Sequence, residues 1–221
     1  MTQLKLSKKV TRKDLLPRTI RYVAGVDVAY AGSFSIGAVA VLDFESLLLK
    51  EFKIAVCDTR FPYVPTLLSF REIPPTVSAI RKLKLEPNVF LVDGQGIMHP
   101  YRLGFASHLG VVITKPTVGV AKSPLCGKTQ TFTRDGWAPI LDKNEVIGAA
   151  LLTKQGRKPV YVSVGNMVSL ETAITIVKHC TKEDRIPEPL RQAHMIATEE
   201  KRKMQNTVSH KENRNGDGCV G

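Results

Sequence analysis

The chain has 221 residues, 43% of them hydrophobic and 24% charged, with a formal net charge of +12. This balance excludes a disordered or collagen-like chain and predicts one foldable unit with a substantial core. The basic excess points to a polyanionic partner, nucleic acid ahead of an acidic membrane surface.

The first twenty residues are basic (Lys5, Lys8, Lys9, Arg12, Lys13, Arg18) and are expected to be helical or partly ordered. Three strands are predicted next, at 21–29, 34–42 and 47–56. The short polar connections Ala31-Gly32-Ser33 and Asp43-Phe44-Glu45-Ser46 suit hairpins, so the three should be mutually antiparallel. The spacing of Val77, Ile80 and Leu83 predicts a helix over 76–84, with Pro74 and Pro75 in its first turn. Val89 to Asp93 reads as a strand buried on both faces. A short helix from Arg102 should end at Gly110, and Thr117 to Ala121 is another short strand. This alternation predicts parallel pairing with right-handed crossovers. Glu145–Thr153 and Val160–Val164 resemble a hairpin about Gln155-Gly156-Arg157. Ser169 can cap a helix running to Cys180, and a last helix begins near Pro189. From Gln205 onward little remains to bury, and residues 204–221 are expected to be a disordered tail.

The four cysteines (Cys57, Cys126, Cys180, Cys219) form no C-x-x-C pair, which argues against a zinc knuckle or a disulfide framework. Scattered thiols fit a reducing compartment. No signal peptide or membrane span is legible, so a cytoplasmic protein is expected.

Three carboxylates stand where burial would be costly without compensation. Asp27 interrupts Tyr22-Val23-Ala24-Gly25-Val26-Asp27-Val28-Ala29. Asp93 closes Val89-Phe90-Leu91-Val92 ahead of Gly94-Gln95-Gly96. Glu72 ends Leu67-Leu68-Ser69-Phe70-Arg71. In parallel sheets ligands gather beyond the carboxyl ends of the strands, and two aspartates meeting there repel unless a cation neutralises them. Hard oxygen ligands without cysteine favour Mg²⁺ over Zn²⁺. Either aspartate alone could equally cap a bulge or a turn; the three together favour a metal. Ser69-x-x-Glu72 matches a capping box, but Ile73 precedes Pro74, which predicts a non-helical lead-in carrying Glu72.

Lys122 follows an apolar strand and could stabilise a phosphate; as one lysine of a basic protein it could equally be merely exposed. Gly127-Lys128-Thr129 lacks the first glycine of a P-loop. Phe61-Pro62-Tyr63-Val64-Pro65 puts an aromatic on a stiff loop, suited to core packing or to wedging between stacked bases. His108 and His179 are placed in the last turns of helices, where the dipole explains them. His99 and His194 default to satisfied histidines.

In order, Gly25-Val26-Asp27-Val28-Ala29-Tyr30, Pro62-Tyr63-Val64-Pro65, Leu68-Ser69-Phe70-Arg71-Glu72, Asp93-Gly94-Gln95-Gly96-Ile97-Met98-His99-Pro100 and Gly119-Val120-Ala121-Lys122-Ser123 resemble endonuclease V. So do Gly165-Asn166, Ser169-Leu170-Glu171-Thr172-Ala173 and Pro187-Glu188-Pro189-Leu190-Arg191-Gln192-Ala193-His194. The resemblance spans roughly residues 20 to 200.

It implies an α/β, ribonuclease H-like fold: a mixed central sheet with antiparallel first strands and parallel later strands, flanked by helices. Residues 1–203 would form a single catalytic domain with a basic N-terminal segment. The implied activity is a monomeric DNA repair endonuclease that recognises deoxyinosine or other deaminated bases. It would cut the second phosphodiester bond 3′ to the lesion, leaving 3′-hydroxyl and 5′-phosphate ends. Asp27 and Asp93 resemble ligands of Mg²⁺, for which Mn²⁺ can substitute, and Glu72 their carboxylate partner. Lys122 and His194 resemble accessory catalytic groups. Pro62, Tyr63, Val64 and Pro65 resemble a DNA wedge, and Gly94, Gln95, Gly96, His99 and Ser123 the wall of a lesion pocket. The amides of Gly94 and Gly96 are expected to approach the base closely.

The chain departs from the pattern at Thr66, where glycine usually follows the Pro-Tyr-x-Pro loop, and at Tyr101, Met98 and Leu190. Two rivals remain: an endoribonuclease acting on inosine-containing RNA, which a 2′-hydroxyl contact would mark, and a nucleic-acid-binding protein without catalysis.

Overall fold

The computed structural model describes the backbone of residues 2–216 and the side chains of residues 2–206. After helix α1 (Thr2–Ser7) come strands β1 (Tyr22–Ala31), β2 (Phe34–Asp43) and β3 (Leu49–Asp58), then α2 (Ser69–Ile80), β4 (Val89–Asp93), α3 (Phe105–Ile113) and β5 (Thr117–Ala121). The second half adds β6 (Lys128–Thr129), β7 (Trp137–Asp142), β8 (Glu145–Leu151), β9 (Val160–Asn166), α4 (Leu170–His179) and α5 (Glu188–Gly216). All nine strands join one sheet in the order β3-β2-β1-β4-β5-β9-β8-β7-β6.

The first three strands are antiparallel, as their turn chemistry predicts. Gly32 supplies the positive φ (+56°) that the two-residue turn between β1 and β2 requires. Parallel pairing is confined to β1–β4 and β4–β5, because only these pairs are joined through crossovers carrying helices. β9 then returns antiparallel to β5, and the β8–β9 hairpin is present. β6 and β7 escaped the sequence reading. Pro139 inside β7 hid that strand, and its turn to β8 uses Lys143 and Asn144, both at positive φ (51° and 65°).

Strand alternation splits the core into two layers. Val23, Leu91, Val118 and Leu151 pack with Val177 of α4 and Leu190 and Ala193 of α5. Ala24, Val26, Phe90 and Val92 pack on the other face with Ala79 of α2 and Phe105 and Leu109 of α3.

Two helix boundaries differ from expectation. α2 begins at Ser69 rather than near Thr76, so Glu72 sits in a helical first turn and both prolines lie inside the helix. Pro74 and Pro75 each remove one backbone donor, but their φ is helical, and the helix lies directly on β2. A Cβ on Gly37 would come within 2.5 Å of the Pro75 backbone. α3 runs past Gly110 to a cap at Thr114, in the left-handed region (φ 53°). Gly110 is instead a close-approach residue, where a Cβ would meet Thr117 Oγ1 at 2.2 Å.

The basic segment after α1 is strapped to the junction of β9 and α4. Thr11 N–H donates to Asn166 Oδ1, Met167 N–H to the Thr11 carbonyl, and Leu15 N–H to the Met167 carbonyl. Asp14 accepts the Ser169 N–H (2.6 Å) and the Ser169 and Thr172 hydroxyls (3.0 and 2.8 Å). Ser169 in turn caps α4 as expected, accepting the Thr172 N–H. The stretch expected to be disordered, 204–221, begins as a continuation of α5; its last residues, 217–221 with Cys219, lie outside the described residues. Among the described residues no helix is long and apolar enough to cross a membrane.

Candidate active site

Parallel register brings the two aspartates together. Val26 of β1 lies beside Val92 of β4, so the next residues, Asp27 and Asp93, fall side by side on strands roughly 4.8 Å apart. Asp27 shares the face of Val23, the face that α5 covers, and His194 of α5 meets it with Nδ1 2.7 Å from Asp27 Oδ2. Asp27 Oδ1 accepts the Val28 N–H at 2.8 Å. Gly25 lets the helix come this close: a Cβ there would stand 1.9 Å from the Pro189 carbonyl oxygen. Asp93 is paired with Val120 of β5, and Lys122, two residues further on, holds Nζ 3.5 Å from Asp93 Oδ2.

Glu72 reaches the same place from α2 and is only 8% exposed. Burial, then the charges of Asp27 and Asp93, push its carboxyl up to about 8, against an opposing pull from Arg71. Burial and then Asp27 also raise Asp93, partly offset by Lys122. The three carboxylates thus share one electrostatic field, as their isolated positions in apolar sequence suggested.

Beside them opens a cavity of about 230 Å³ lined by Tyr63, Glu72, Asp93, Gly94, Gln95, His99 and Ser123, all singled out by sequence. Leu103, Phe105 and Leu125 complete its apolar wall; as single apolar residues they gave no functional signal. Gln95 Nε2 donates to the Ser123 carbonyl at 2.8 Å, while its Oε1 is buried without a hydrogen-bond partner. Tyr63 is 68% exposed, and the Arg71 guanidinium lies between its ring (5.9 Å) and that of Tyr30 (4.7 Å). Val64 and Pro65 line a neighbouring groove, and Pro62 lines neither space.

Gly96 is not part of the cavity wall. Its N–H donates to Ser163 Oγ at 2.8 Å, and a Cβ would stand 2.0 Å from the Val164 carbonyl, so it seats the loop against β9. The Gly94 N–H is likewise committed, to the Val120 carbonyl at 3.0 Å. Neither amide is therefore available to a base in this conformation.

His108 departs from the dipole explanation. It lies in the first half of α3, buried, with Nδ1 3.0 Å from Ser69 Oγ and its ring edge-on to Phe70 at 4.8 Å. Burial pushes its pKa down to about 4. No spacing rule could have joined Ser69 to a residue 39 positions away. His179 does sit in the last turn of α4, donating to the Phe44 carbonyl and stacked on that ring at 4.3 Å.

The profile of the endonuclease V family matches residues 4–195. The chain belongs to that family. Its similarity to the Endonuclease V of Thermofilum pendens is 47% identity over 197 residues, covering 89% of this chain and 84% of the relative. The crystal structure of the Endonuclease V from Streptomyces avermitilis superposes with a TM-score of 0.86 at 38% identity, covering 94% of this chain and 92% of that one. Ciona intestinalis Endonuclease V, solved in complex with a 24mer DNA containing an inosine followed by a ribo-adenosine, matches with a TM-score of 0.81 at 33% identity, covering 92% and 96%. The chain therefore has the ribonuclease H-like fold and is a nuclease that hydrolyses phosphodiester bonds, in a family generally dependent on divalent metal.

The donor set fits a hard cation. Two adjacent carboxylates and a third forced towards its protonated form carry repulsion that a divalent ion would relieve. Among the described residues no three His, Cys, Asp or Glu side chains make a ready-made cage.

Proposed function

We propose that this chain is a DNA repair nuclease that takes a deaminated adenine, deoxyinosine, into the cavity beside Asp93. It would hydrolyse the second phosphodiester bond 3′ to that base. Glu72 and Asp93 line a cavity together with Tyr63, and Asp27 acts electrostatically on both carboxylates; this grouping carries the reading. The DNA bound by the Ciona relative, with its inosine, supports the choice of lesion.

Asp27 and Asp93 would hold Mg²⁺ or Mn²⁺, whose chemistry there is charge neutralisation at the phosphate and acidification of a water. A mismatched base is the cheapest to unstack and flip; Tyr63, on its proline-stiffened loop, fills the gap that the base leaves. The water oxygen attacks phosphorus, the P–O3′ bond breaks, and the departing 3′ oxygen takes a proton from solvent water. Glu72, buried beside both aspartates, would be the carboxylate that receives the proton the water loses. Lys122 neutralises developing phosphate charge from the Asp93 side. His194 orients Asp27 through Nδ1–H, which leaves Nε2 as its basic nitrogen.

End-labelled DNA and RNA duplexes carrying one inosine, incubated with Mg²⁺ or chelator, test the reading. A metal-dependent DNA nick one nucleotide beyond the lesion is expected. Cleavage of RNA alone would move the function to inosine-containing RNA, an arm motivated by the ribo-adenosine in the Ciona complex. Binding without cleavage of either would leave a nucleic-acid-binding protein. Tyr63→Ala should reduce the preference for inosine over undamaged duplex, and an unchanged preference would refute the wedge.

A further inference from the structure

We propose that α1 is part of the lesion-reading apparatus, with Gln3 as a positioning residue for the wedge. The inference rests on the lesion-nuclease reading above. Gln3 is the only buried residue of α1, and its Nε2 donates to the Thr66 carbonyl at 2.8 Å, across 63 residues of sequence.

Thr66 is an unusual place to find a threonine. Leu67 N–H donates to the Val64 carbonyl at 2.9 Å, closing a four-residue turn with Pro65 second and Thr66 third. Thr66 has φ +68°. Positive φ at the third position with proline at the second is the type II turn, which calls for glycine there. A β-branched residue in that region is strained and persists only where its surroundings hold it.

Two donors hold it here. Besides Gln3, His99 Nε2 lies 3.1 Å from the same carbonyl. Tyr101 N–H donates to His99 Nδ1 at 3.2 Å, so the proton resides on Nε2, and burial, by lowering the pKa, keeps the ring neutral. His99 ties the turn to the cavity loop; Gln3 ties it to the N-terminus. Since Thr66 follows the Pro62–Pro65 wedge directly and lines the cavity, these bonds set where Tyr63 stands relative to the base. α1 is itself held in place, because the segment behind it is strapped to β9 and α4 through Thr11, Asp14 and Leu15.

The experiment uses the full chain, Gln3→Ala, Thr66→Gly and the double variant on duplexes with and without one inosine, with 2-aminopurine beside the lesion reporting unstacking. Gln3→Ala is expected to raise KM for the inosine duplex about three- to tenfold, the worth of one lost hydrogen bond. It should leave kcat near wild type and weaken the 2-aminopurine signal, with an unchanged melting temperature. In the Thr66→Gly background, where the turn has no strain to restrain, Gln3→Ala should have less than half of that effect. Wild-type KM and unstacking in Gln3→Ala would overturn the proposal, as would an equal effect in both backgrounds. The fluorescence needs no cleavage, so it judges Gln3 separately. If wild type itself ignores inosine, the lesion reading fails instead.

Discussion

At the scale of single residues, the site is a balance of charge among partly buried carboxylates. Asp27→Ala or Asp93→Ala should leave a folded protein, because each removes a repelling carboxylate next to the others. Cleavage should fall by at least about a thousandfold, comparable with losing a principal electrostatic contact in an active site. Circular dichroism with single-turnover kinetics would check both halves, and a cleaving Asp93→Ala would refute the assignment. His108 gives a pH signature away from the carboxylates. Its pKa is about 4 in the fold against 6.5 ordinarily, so between these values the unfolded chain binds more protons. The stability it contributes is full above pH 6.5 and lost as pH falls towards 4, on the order of 3 kcal/mol. Denaturation from pH 4 to 7 should show wild type losing more stability on acidification than His108→Phe.

At the scale of elements, the site depends on helices lying closer to the sheet than side chains permit. α5 crosses β1 at Gly25 and α2 crosses β2 at Gly37, and these crossings carry His194 to Asp27 and Glu72 towards Asp93. Gly25→Ala must push α5 off the sheet, since its Cβ would meet backbone rather than a movable side chain. A loss of about 3 kcal/mol or more is expected, together with weakened catalysis as His194 withdraws; an unchanged melting temperature would contradict that crossing. The prolines of α2 show where local rules mislead. By propensity Pro74 and Pro75 argue against a helix through Glu72, yet packing on Gly37 outweighs two missing backbone donors. The same local reasoning succeeded at Ser169, whose hydroxyl oxygen caps its own helix while its proton goes to Asp14, so the tertiary contact reinforces the local one.

At the scale of the whole molecule, the net charge of +12 should appear as salt dependence. Log affinity for duplex DNA should fall linearly with log salt concentration, by about 0.9 for each phosphate neutralised. Anisotropy titrations from low to moderate salt would measure it, and a flat line would remove the polyanion explanation of the charge. The first five strands with their mixed pairing and the three carboxylates were legible in the chain because alternation, turn residues and charge in apolar runs are local signals. The resemblance in eight ordered segments named the family. What only the tertiary structure decided depends on contacts between distant segments: Gly96 turned to β9, His108 against Ser69, Arg71 between two tyrosines, and Thr66 held in a glycine's conformation by Gln3 and His99. Sequence spacing encodes what one element does by itself; which elements meet is set by packing the whole chain around one sheet.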